Sequence, residues 1–209
     1  MRFTRMSLML CLVCLLAPFR ASVFAQTQQT PRAAAEAAPP GWQRREVGDR
    51  DGRVSVLLPK EPQDLGVASL KRPDGQPLPT HVYITSAEAR IYSILIVDLP
   101  QDASKMTDDD RGEVFYGCWR AVANRTSVAL EQRFGKPFEI TSSAQKVGDL
   151  QGYERRAQDF KVGDQNGRAQ VVFAGARAYM LVSVWGNSPE SETDALRFLN
   201  SFQVKRELK

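Results

Sequence analysis

The chain has 209 residues, with 28 Lys and Arg against 24 Asp and Glu, one His and three Cys. A net charge of +4 without a clustered excess of Lys and Arg leaves no electrostatic footprint for nucleic acid, and a single histidine excludes His-clustered zinc sites and two-His metal motifs. The length suffices for one domain with its own core.

Arg2 and Arg5 precede an apolar run over residues 6–17, which Pro18 breaks and Val23-Phe24-Ala25 follows. This is the pattern of a secretory signal peptide cleaved after Ala25. The run is about a dozen residues against the ~20 of a membrane span, so a retained anchor is the weaker alternative. Cys11 follows Leu10 and Cys14 follows Val13, neither of them the small residue that precedes a lipid-modified cysteine. Loss of residues 1–25 removes Arg2, Arg5 and Arg20 and no acid, leaving 25 basic against 24 acidic residues, or +1. It also leaves Cys118 alone, so no intramolecular disulfide can form. Residues 26–41, rich in Gln, Thr, Ala and Pro, cannot bury apolar surface and read as a tether or disordered tail.

The domain is expected over residues 42–206. Residues 42–47 and 53–58 alternate polar and apolar around an Asp49-Arg50-Asp51-Gly52 turn, which predicts an opening hairpin ended by Pro59 and Pro62. Strands follow at 67–71, 80–86 and 90–99, set apart by Pro73-Asp74-Gly75 and by Ala87-Glu88-Ala89. In the third, Tyr92, Ile94 and Ile96 alternate with Leu95 and Val97, so it should be central and covered on both faces. A helix over 108–133 has Thr107 as N-cap and Asp108, Asp109 and Asp110 in its first turn. Phe115, Cys118, Trp119, Val122, Ala129 and Leu130 share one arc of it, with Glu113, Arg120, Asn124 and Glu131 opposite, and Gly135 and Pro137 stop it. After a strand over 138–146, the chain reads three strands at 152–161, 168–174 and 178–185. A last helix over 188–202 has Ser188 as N-cap, Pro189 in its first turn, Ala195, Phe198, Leu199 and Phe202 on its apolar stripe and Arg197 on its outer side.

Gly152-Tyr153-Glu154-Arg155-Arg156, the segments 168–173 and 178–184, and Ala195 to Phe202 resemble, in that order, the C-terminal half of PsbP-like bacterial domains. Residues 52–59 are similar to that family's opening strand, with Val54 in place of its usual aromatic and Glu154 in place of a small residue. The resemblance covers roughly 146–204 and, more weakly, 42–145. It implies an α/β/α sandwich around an antiparallel sheet and little about activity, because that fold serves unrelated accessory proteins.

Candidate chemistry is sparse. His81 is a lone base in a strand, and Cys118 lies on an apolar arc beside Trp119, so both read as structural. Asp108 to Asp110 lack the spaced ligands of a calcium loop, and Gly163-Asp164-Gln165-Asn166-Gly167 reads as a hairpin loop because no Lys-Ser/Thr or helix follows it. Asn124-Arg125-Thr126 matches a glycosylation sequon but lies within a helix and is given no role. Arg155, Arg156, Lys161, Arg168 and Arg177 are the one candidate surface, for an anionic partner, although Glu154, Asp159 and Asp164 dilute it.

The expected fold is therefore α+β, an antiparallel sheet of six to eight strands with helices packed on its faces. A one-faced sheet is the alternative, disfavoured because Leu95, Val97, Leu181 and Trp185 would then form a bare apolar face. The expected function is a non-enzymatic, exported accessory or protein-binding module, periplasmic or extracellular, with a protein partner, no metal, no cofactor and no membrane span after cleavage. The alternative is a small-ligand carrier, or a hydrolase without a recognisable motif, with a pocket between sheet and helix.

Overall fold

The computed structural model describes residues 38–49, 52–71, 75–88, 90–134 and 139–205. The expected signal peptide at 1–25, all but the end of the expected tether, Arg50, Asp51, Pro73, Asp74, Ala89, the expected helix stop at Gly135 and Pro137, Phe138, Arg206 and the side chains of Ala129, Leu130 and Glu131 lie outside the described residues.

The described chain runs β1 (Gln43–Val47), β2 (Val54–Leu58), β3 (Gln63–Lys71), β4 (Pro77–Ala87), β5 (Arg90–Asp98), α1 (Asp108–Phe134), β6 (Ile140–Ser142), β7 (Lys146–Leu150), β8 (Tyr153–Val162), β9 (Gln165–Ala174), β10 (Arg177–Trp185), α2 (Pro189–Asn200) and β11 (Gln203–Val204). Eight strands make one antiparallel sheet in the order β3-β4-β5-β10-β9-β8-β6, with β7 also paired to β8. The β1–β2 hairpin does not join it; with β11 it forms a separate three-stranded sheet.

Period-two alternation in the central strands divides the core in two. On one face, Leu95 and Val97 of β5 and Ala178, Met180, Val182 and Val184 of β10 pack with Val114, Phe115, Cys118 and Trp119 of α1. On the other, Tyr92, Ile94, Ile96, Tyr179 and Leu181 pack with Phe198, Leu199 and Phe202 at the α2 end and with Val54, Val56 and Leu58 of β2. Both faces of β5 are covered, as its alternation predicts, and the α+β sandwich is what the strands and helices form. The grouping of Leu95 and Val97 with Leu181 and Trp185 is corrected by register: Leu95 stands opposite Met180 and Leu181 opposite Ile94, so the two pairs lie on opposite faces.

Both helices begin as the sequence predicts. Thr107 Oγ1 accepts from Asp110 N at 3.1 Å while Asp110 Oδ2 accepts from Thr107 N at 3.0 Å, a reciprocal cap with Asp in the place of the usual Glu. Ser188 Oγ accepts from Ser191 N at 3.2 Å, and Pro189 opens α2. Helix α2 ends at Asn200, and Phe202, 1% exposed, follows it. The expected strand over 138–146 is two strands, β6 and β7, both paired to β8. Between them Ser143 bonds Asp159 instead, its N donating to the carbonyl at 2.8 Å and its Oγ accepting from Asp159 N at 3.2 Å. Short Ser side chains compete with the ladder in this way. The expected loop 163–167 shrinks to Gly163-Asp164, and Gly167 lies in β9 beneath the Phe160 ring, which would be 2.3 Å from a Cβ at that position.

Candidate functional site

The five anticipated cations do not form one face. Arg155 and Arg156 are neighbours on β8 and therefore point to opposite sides of the sheet. Arg156, 2% exposed, is held by Glu154 and Asp108 at the start of α1. Glu154, the departure from the family pattern, is thus one end of a cluster in which Arg111 also takes part, its Nε at 2.8 Å. Arg168 pairs with Asp159 directly across from it, and Lys161 lies two residues further along β8. Burial pushes the Asp159 carboxyl up, but Arg168 and Lys146 outweigh it and hold the group below its ordinary value. Arg177 is six residues along β10 from Ser183, the partner of Arg168, hence ~20 Å away. It is bound by Asp49 at 2.8 Å and Asp98 at 3.0 Å. Gly52 makes room for it, since a Cβ there would meet the guanidinium at 1.2 Å.

His81 lies on β4, one strand in from the edge strand β3, its Nε2 2.7 Å from Asp64 Oδ1 and its ring stacked on Tyr83 at 4.8 Å. The neighbouring hollow of about 160 Å³ offers Thr80 as its hydroxyl, and that hydroxyl donates to Leu78 O at 2.9 Å, so no free nucleophile is present among its described lining residues. Cys118 is fully buried, and burial pushes its thiol up to about 12, which keeps it protonated and unreactive at neutral pH. Asp108 and Asp110 are engaged by Arg156 and by the Thr107 cap.

Two larger hollows lie among the described residues. One, of about 430 Å³, lies against β6, β8, β9 and the end of β10, and contains Lys161 and Arg168 together with Asp159, Glu192 and Trp185. Its charges balance. The other, of about 360 Å³, lies between the middle of α1 and β3, whose outer edge pairs with no strand among the described residues. It is lined by Ser69, Leu70, Lys71, Tyr116, Gly117, Arg120, Ala121, Asn124 and Arg125, with no carboxylate. Helix and strand come close here because position 117 is glycine: a Cβ on Gly117 would stand 3.3 Å from the Lys71 carbonyl oxygen. Arg120 lies over the exposed Tyr116 ring at 5.7 Å, an i, i+4 cation–π contact that leaves the guanidinium edge free to bond.

Most of the other described arginines differ from those of this groove, although Arg44, which bonds Ser55 and Ser201, and Arg155 also stand in no ion pair among the described residues. Arg45, Arg53, Arg90, Arg111, Arg156, Arg168, Arg177 and Arg197 are all tied to carboxylates. Lys71, Arg120 and Arg125 stand in none of the ion pairs among the described residues. The chain is similar to cyanobacterial PsbP. The solution structure of that protein (CyanoP) from Synechocystis sp. PCC 6803 matches over 81% of this chain and 96% of its own, at 16% identity and a TM-score of 0.46. No family model and no curated protein matches the sequence. Among the described residues no helix is long and apolar enough to cross a membrane.

Arg120 and Asn124 are visible in the sequence as the polar side of the helix. Their meeting with Lys71, some fifty residues earlier, is not; the only local signal is the pair of prolines, Pro77 and Pro79, on the strand beside the free edge.

Proposed function

We propose that the protein is an exported, non-enzymatic accessory module that docks on a partner protein by holding an acidic segment of that partner in the α1–β3 groove. The observation that carries this reading is that Arg120 and Arg125 line one hollow together with Ser69, Leu70 and Lys71, whose carbonyl oxygen faces α1, and that no carboxylate lines it. Exposed and unpaired, these cations keep their field, which steers an oppositely charged partner and costs little desolvation in the free state. Tyr116 and Asn124 add an aromatic surface and an amide that both donates and accepts. Export is supported by the Arg2 and Arg5 leader with its short apolar run. Among the described residues lining the hollow beside the His81–Asp64 pair, the Thr80 hydroxyl is already spent on Leu78 O, which favours docking over catalysis.

The test is a titration of the mature chain with a fluorescent peptide rich in Glu and with its Glu→Gln twin, at low and high salt. The acidic peptide should bind, weaken as salt rises, and lose its binding to the Arg120→Glu/Arg125→Glu variant. Equal binding of the two peptides, or an unaffected variant, would remove the groove from consideration.

A further inference from the structure

We infer that the acidic segment is held as an added β-strand, its main chain paired with Val67 and Ser69 on the edge of β3 that no described strand occupies and its carboxylates on Arg120 and Arg125. This rests on the docking reading above and deepens it by fixing how the segment lies.

Which groups of β3 are free follows from its neighbour β4. The β4–β5 hairpin closes on the pair Ala87↔Arg90 across a two-residue connection, and the closing pair of such a hairpin exchanges both of its main-chain hydrogen bonds. Odd-numbered residues of β4 therefore turn their N–H and C=O toward β5, and even-numbered ones toward β3. Ala68, opposite Thr80, and Leu70, opposite Leu78, are then the residues of this segment that bond β4. Val67, Ser69 and Lys71 stand opposite His81, Pro79 and Pro77 in the other kind of pair, with both main-chain groups pointing off the sheet.

Two independent observations agree. Pro77 and Pro79 have no N–H and fit only positions that owe β3 no bond. The Lys71 carbonyl oxygen, only 3.3 Å from where a Cβ of Gly117 would stand, lies on the helix side of the edge.

The edge is closed at its two ends and open between them. Upstream, the register shifts between Asp64 and Val67 around Gly66, whose φ of 77° bends the strand; downstream, α1 meets Lys71. Bulges and covering helices are the usual protection of an edge strand, and here they bracket a window at 67–70 that neither covers. The basic hollow lies along that window. Strand addition uses such an edge: main-chain bonds supply the affinity, and alternate side chains of the incoming strand supply the specificity. Charge selects the occupant. A second copy of this chain paired edge to edge would bring Arg120 and Arg125 toward their own counterparts, whereas an acidic strand neutralises them.

The test uses the mature chain and an octapeptide of alternating Val and Glu, with two versions N-methylated at alternate amides in the two possible phases. One phase removes the amides that would face β3 and the other those that face away. Titrated to about 1 mM, the plain peptide should bind, one N-methylated phase should lose at least about tenfold, and the other should stay within about threefold. The Ser69→Pro variant, which removes one outward N–H and no bond to β4, should keep its far-UV circular dichroism and melting temperature and lose the peptide. Binding that depends on Arg120 and Arg125 but ignores both phases would overturn strand addition and leave the groove reading standing. Failure of every acidic peptide to bind would overturn both. A dimer that forms with rising concentration and dissociates in Ser69→Pro would assign the edge to a second copy and overturn the inference.

Discussion

Replacing Phe198 by Ala probes whether α2 closes the second core. Phe198 is 0% exposed and meets the Tyr92 ring edge-on at 5.2 Å, and Tyr92, 1% exposed, meets Trp42 in the same way at 5.6 Å. Burial pushes the Tyr92 hydroxyl up to about 12, as expected of a phenol inside a core. The ring of Phe198 therefore joins α2 to β5 and, through Tyr92, to the start of β1, with no solvent to fill its place. Truncations of this kind cost ~3–5 kcal/mol, against the ~5–15 kcal/mol that stabilises a domain. With an m-value of ~2 kcal/mol/M, the urea midpoint followed by tryptophan fluorescence should fall by about 2 M. Thr193, exposed on the same helix, is the control: Thr193→Ala should stay within ~0.5 kcal/mol. Arg197 cannot serve as one, because its side chain is 15% exposed and bonded to Asp194 rather than on the outer side. A Phe198→Ala midpoint equal to the wild type would mean that α2 is not docked, and the second core would have to be redrawn.

Cys118 should resist an uncharged thiol reagent until the chain is denatured, and Cys118→Ala should cost about 1–2 kcal/mol while leaving peptide binding intact; rapid labelling of the native protein would contradict its burial. Gly167→Ala should destabilise by about 1–3 kcal/mol in the same urea assay, because the new methyl group must displace the Phe160 ring, which is itself packed on Trp119 at 4.8 Å. The carboxyl of Asp159 is held below its ordinary value when folded, so the stability it contributes is present above the unfolded pKa and lost as pH falls through the folded one. Urea midpoints should thus drop below about pH 4, and less steeply in Asp159→Asn; parallel curves would refute the assignment.

The central strands were legible because their side chains alternate without interruption, and the helix starts because caps act within three residues. Features that depend on distant partners were not. The basic surface expected from Arg155, Arg156, Lys161, Arg168 and Arg177 dissolves once Asp108, 48 residues from Arg156, and Asp49, 128 residues from Arg177, fold against it. Strand β11, two residues long, has no periodicity to read, yet it completes the small sheet on β2. The break between β6 and β7 falls at Ser143, whose side chain accepts from Asp159 N, sixteen residues away on β8. Gln151 adopts a φ of 59° that sequence rules reserve for Gly or Asn, and its side chain donates to the Phe202 carbonyl at 2.8 Å, a bond across 51 residues. The groove was hidden for the same reason, since strand edge and helix meet only in the fold.

Amide chemical shifts of the ¹⁵N-labelled mature chain, followed while the acidic peptide is added, test the docking claim most directly. The account predicts that perturbations concentrate at Val67 to Lys71 and along residues 116–125 of α1, that the Val67 and Ser69 amides move furthest, and that all of them vanish in Arg120→Glu/Arg125→Glu. Shifts concentrated instead at Ser142, Lys161, Arg168 and Trp185 would place the ligand in the hollow on β8 and β9 and contradict it.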